Sequence, residues 1–159
     1  NNFESMGAKE FSLKASEKGV DGIIVVDMPP EESNEFTEHT KINDIDIIRL
    51  IAPTTEKERI KEICTSASGF IYYISLKGTT GSKKFNPKDV KKNIRQLNEI
   101  STLPVVIGFG LKDRDTVRSV KDLSDGVVIG STLVDILGKN GFGPEFKEKI
   151  DELYTALVD

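Results

Sequence analysis

"DGVVIGSTLVDIL", residues 125–137, opens as a buried parallel strand does, with an apolar β-branched run behind a glycine, and then breaks at Gly130 and Ser131 before a second apolar stretch. A strand that ends without a side chain and then with a hydroxyl leaves room at its tip for a ligand. Glycines also cluster after two other strand candidates. "FIYYIS" (70–75) runs into "LKGTTGSKKF" (76–85), and "PVVIGF" (104–109) runs into "GFGLKD" (108–113). In parallel βα architecture these loops and "IGSTLVDIL" (129–137) share one face, at the carboxyl edge of the sheet.

Working back along the chain, "GIIVVD" (22–27) and "DIIRLIA" (46–52) complete five strand candidates, with "GVVIGS" (126–131) as the last. Amphipathic stretches near 8–18, 31–42, 55–66, 87–100, 112–122 and 144–157 predict helices. Alternation of this kind is the pattern of repeated βα units on a parallel sheet. Local signals agree with it. Thr54 or Thr55 can cap the third helix, with Glu58 as capping-box partner to Thr55. Pro87 suits a first helical turn, and Gly19 ends the opening helix. No linker or low-complexity segment interrupts residues 1–159, which read as a single domain.

Two architectures fit these units. An open five-stranded doubly wound parallel sheet suits the 159-residue length, whereas a complete (β/α)8 barrel takes about 250 residues. Glycine placement points the other way. The loop after the first strand, "VVDMPPEES", has no glycine, and a phosphate site after the last two strands is a barrel habit.

Composition narrows the function. Charged residues make up 30% and the net charge is −4, with Lys and Arg scattered, so no field is offered to nucleic acid or an anionic membrane. Cys64 is the only cysteine, which excludes an internal disulfide and fits a reduced, cytoplasmic setting. Apolar runs are too short to span a membrane.

Each glycine loop taken singly only permits a tight turn; three on one face, with helix-start amides beside them, describe a phosphate cradle. No GxGxxG or Walker pattern is present, which favours a small phosphorylated metabolite over a nucleotide. Tyr72 and Tyr73 are adjacent on a strand and point to opposite faces, so one can line a pocket while the other serves the core. Asp27 ends the first strand, as an acid or base or as a turn residue before "MPPEE". His39 stands beside Glu38, Thr40 and Lys41 on a solvated helix face, and without a second histidine no familiar triad can be built.

Four segments together resemble one family. "GVDGIIVVDMPPEES" (19–33) is similar to the fourth-strand segment of tryptophan synthase alpha subunits, "GFIYYISLKGTTG" (69–81) to the sixth, "LPVVIGFGLKD" (103–113) to the seventh and "DGVVIGSTLVDIL" (125–137) to the eighth. The resemblance implies a (β/α)8 barrel lyase of tryptophan biosynthesis that cleaves indole-3-glycerol phosphate to indole and glyceraldehyde 3-phosphate. It implies that Gly81, Gly110, Gly130 and Ser131 hold the substrate phosphate, and that Tyr72 and Phe109 line the indole pocket. The partner implied is a beta subunit in a heterotetramer. Pyridoxal phosphate would belong to that subunit, and this chain itself would carry no cofactor and no metal. Residues 1–7 and 29–32 match regions that face the partner. The family's acid and base carboxylates lie in a Glu-apolar-Gly-x-Pro-x-Ser-Asp-Pro-x-x-Asp-Gly stretch without counterpart here, so the resemblance implies strands four to eight only and an inactive isolated chain. The competing readings are a non-catalytic phosphate-binding or subunit-docking module and another phosphate-binding barrel enzyme.

Overall fold

The β-branched runs form five strands in a computed structural model of the protein, which describes residues 6–26, 30–74, 87–108 and 110–159. They are β1 (Gly22–Ile24), β2 (Asp46–Ile51), β3 (Ile71–Ile74), β4 (Val105–Gly108) and β5 (Gly126–Val128). All are parallel, and their order in the sheet is their order in the chain. A doubly wound sheet reverses its strand order at a switch point. This one never reverses, so right-handed crossovers lay every connecting helix on the same face. The result is an arc of a (β/α)8 barrel, and the doubly wound alternative is set aside.

Side-chain parity runs through the whole arc, because successive strand residues point to opposite faces. The odd-numbered residues meet the helices: Ile23 and Ile47 pack with Ala8 and Phe36, and Ile51, Ile71, Tyr73, Val105 and Ile107 pack with Val90, Ile94 and Leu97. Ile71, Val105 and Ile107 are fully buried, a burial that contributes about 1.5–3 kcal/mol for each such side chain. Even-numbered residues form the concave face; of these Leu50, Tyr72, Val106 and Val128 are half-buried, Ile48 is buried and Ile24, at the edge strand, is exposed.

Among the described residues the helices are α1 (Ala8–Glu17), α2 (Pro30–Ile42), α3 (Lys57–Thr65), α4 (Pro87–Ile100), α5 (Arg114–Arg118), α6 (Ser131–Asn140) and α7 (Pro144–Val158), with a 3₁₀ turn at Lys121–Leu123. In α4, Val90, Ile94 and Leu97 recur at helical spacing and are the residues that face the sheet. Pro87 is the first residue of α4, and Gly19, at φ 76°, follows the end of α1 as the left-handed residue that an L side chain disfavours. Asp113 caps α5 in a reciprocal capping box with Thr116. Helix α7 docks beside α5 through the Glu152 carboxylate, which accepts from the Arg114 amide at 3.2 Å.

Three local expectations need correction. Thr55 does not cap α3: its hydroxyl accepts from the Ala52 amide at 3.0 Å, closing the turn at Pro53 and Thr54, and Glu56 takes the cap position. The helix expected over 112–122 is a five-residue α5 followed by the 3₁₀ turn. The stretch after β5, read as a loop over 129–137, is helical from Ser131 onward as α6.

Candidate functional site

Tyr72 and Tyr73 divide between the two faces as adjacent strand residues must. Tyr73 is buried among the helices, and its hydroxyl accepts from Asn93 Nδ2 at 2.7 Å. It is a core ring with its polar tip satisfied. Tyr72 lies on the concave face, and its ring passes over Gly108 of the neighbouring strand. A Cβ at Gly108 would stand 2.0 Å from Tyr72 Oη and 2.3 Å from Cζ, so the ring fills space that only glycine leaves open. Partial burial pushes the Tyr72 phenol pKa up, which keeps the hydroxyl protonated and able to donate.

Beyond this pair, β4 and β5 leave the sheet side by side. Gly108 is in register with Val128, and two residues further on each strand stands a glycine, Gly110 and Gly130. The two are glycines for different reasons. Gly110 has φ 78°, a conformation that disfavours any side chain. Gly130 has φ −110° and ψ −77°, on the negative-φ side that other residues adopt, and a Cβ there would meet nothing within 4 Å among the described residues. Neither backbone strain nor packing among the described residues calls for glycine at 130.

Gly130 is also the N-cap of α6. Its carbonyl accepts from the amides of Leu133 and Val134, each at 3.0 Å. The amides of Ser131 and Thr132 therefore precede the helix's own bonding and are directed out of its positive end. With the exposed Ser131 hydroxyl beside them, the tip of β5 presents donors and, at Gly130, no side chain of its own, the chemistry that suits an oxyanion.

Gly81, Phe109 and Asp27 lie outside the described residues, as does the loop 76–85. Of the residues singled out from sequence, the structure places Gly110, Gly130 and Ser131 just beyond the carboxyl ends of β4 and β5, while Tyr72 is the second residue of β3, inside the sheet on its concave face. His39 is a partly exposed residue of α2. Cys64 packs against the main core from α3, and burial raises its thiol pKa against a hydrogen bond with Ser101. Among the described residues no group of three or more His, Cys, Asp or Glu side chains is placed to hold a metal, and no helix is long and apolar enough to cross a membrane.

Two supporting residues escaped the sequence reading. Asp125 Oδ2 accepts from the Val105 amide at 2.7 Å while the Asp125 amide donates to the Val105 carbonyl at 2.9 Å. Ser68 makes the same two-way bond with Ile47, at 2.8 and 2.9 Å. Each extends the ladder by one rung at the amino ends of the strands, so the glycine tips at the other ends are held in register. A separate open cavity of about 410 Å³, bordered by Thr37, Lys41, Asp44, Asp46, Ser66 and Ser68, sits at that same amino-end edge, away from the glycines.

The family profile described as "Tryptophan synthase alpha chain" matches residues 1–157. The tryptophan synthase alpha chain of Marinobacter nauticus is 40% identical over 159 residues, covering 100% of this chain and 57% of that protein. That of Paraburkholderia phytofirmans is 42% identical over 166 residues, covering 98% of this chain and 62% of that protein. Among solved structures, tryptophan synthase subunit alpha from Campylobacter jejuni superposes with TM-score 0.84 at 29% identity, over 95% of this chain and 60% of that one. A variant alpha-subunit from Pyrococcus furiosus gives TM-score 0.82 at 35% identity, over 98% and 63%. The chain thus spans about three-fifths of the length of the relatives it matches.

Proposed function

We propose, from the premise that this chain belongs to the tryptophan synthase alpha chain family, that it supplies the phosphate-binding side of a lyase acting on indole-3-glycerol phosphate. The observation that carries the reading is Gly130: a glycine that neither its backbone nor its surroundings among the described residues require, at the start of a helix whose first amides are directed outward. A phosphate resting there explains the missing side chain. Gly110 brings the neighbouring loop backbone close to the same anion, and Ser131 adds a hydroxyl; Gly81, by the family pattern, completes the cradle. Tyr72, held over Gly108 with its phenol protonated, faces the indole portion of the substrate together with Phe109.

The reaction is a retro-aldol cleavage. The indole ring carbon that bears the glycerol chain gains a proton, the adjoining carbon–carbon bond breaks, and the neighbouring hydroxyl loses its proton as it becomes the aldehyde of glyceraldehyde 3-phosphate. Two positioned carboxylates suit these transfers, and the family's pair has no counterpart in this chain. The chain alone therefore binds and does not turn over. A beta subunit, carrying pyridoxal phosphate, takes the indole onward, and a cytoplasmic setting goes with that assembly.

The test has two arms. Glycerol phosphate titrated into the 159-residue chain is expected to shift the backbone amide resonances of Gly110, Gly130, Ser131 and Thr132, and indole release from indole-3-glycerol phosphate is expected to be absent. Shifts confined to other loops would overturn the phosphate assignment, and turnover at the rate of a complete alpha subunit would overturn the division of labour.

A further inference from the structure

We draw no further inference here: the strongest candidate, the apolar side chains exposed at the two ends of the strand arc, with Leu13, Ile24 and Val26 at one end and Val134, Tyr154 and Val158 at the other, forms unpartnered faces, and nothing in the structure shows what covers them.

Discussion

The ring of Tyr72 occupies the volume that a side chain at Gly108 would need, with Oη 2.0 Å from the position a Cβ would take. The two residues sit on adjacent parallel strands, Tyr72 opposite Val106 and Gly108 one concave-face position beyond it. Such diagonal neighbours are within reach of an aromatic side chain. The glycine is thereby tied to the tyrosine, and substitution at either site acts on both.

Gly108→Ala is accordingly expected to destabilise the chain by about 1–3 kcal/mol, the usual cost of forcing extra volume into packed surroundings. Tyr72→Leu in the same chain removes the ring and is expected to recover part of that loss. Removing only the hydroxyl, as in Tyr72→Phe, is not enough, because Cζ would still lie 2.3 Å from the new methyl. Urea unfolding of the two single variants and the double variant gives the coupling. Simple additivity would show that the two residues do not compete for the same space.

Asp125 carries a separate expectation. Its carboxylate is the acceptor for the amide of Val105, a fully buried residue. Asp125→Ala leaves that donor without its acceptor, a loss of about 1–3 kcal/mol. Asp125→Asn keeps an acceptor oxygen and is expected to lose less. Hydrogen exchange at the Val105 amide reports the bond directly: protection should fall in the alanine variant, and unchanged protection would remove Asp125 from the strand register.

Sequence patterning reached the strand positions because fully apolar β-branched runs admit few alternatives, and it reached the opposite orientations of Tyr72 and Tyr73 because strand geometry requires them. In the sequence, length favours the open sheet while glycine placement and the family resemblance favour the barrel; the structure separates them by strand order, a property no local window contains. A helical start is legible at Ser131, but the full length of α6 is not, because Gly138 interrupts the pattern with a poor helix former. Thr55 was given to α3 because the capping-box spacing fits, yet its hydroxyl is taken by the preceding turn at Ala52. The packing role of Gly108 has no local signal. It exists only once β3 and β4 are in register.

Helix α7 gives a pH dependence. The Glu152 carboxylate is held below the usual carboxylate range, chiefly by its hydrogen bond from Lys149 Nζ at 2.9 Å and also by the Arg114 amide. A carboxylate whose folded pKa is depressed contributes stability that is present above its unfolded pKa and lost as pH falls through the folded one. The wild-type chain is therefore expected to lose more stability than Glu152→Gln on acidification below the ordinary glutamate pKa of about 4.3. Because the pair is partly exposed, added salt should shrink the difference. Unfolding curves compared across that window check this, and parallel pH profiles at low salt would remove Glu152 as the source.

Gly130 separates binding from folding. Its φ of −110° is open to other residues and a Cβ would meet nothing within 4 Å among the described residues, so Gly130→Ser introduces a side chain without a clash there. Stability is expected to stay within about 0.5 kcal/mol of the parent. If the open space holds a phosphate, the new Cβ and hydroxyl stand in its way. Affinity for glycerol phosphate should then fall by about tenfold or more, equivalent to about 1.4 kcal/mol. Ser131→Ala should weaken binding by less, since the helix-start amides remain. Calorimetric titration beside thermal unfolding reads both quantities on the same samples. Unchanged affinity in Gly130→Ser would mean that the glycine at the tip of β5 serves no anion, and a large loss of stability would mean that it serves the fold.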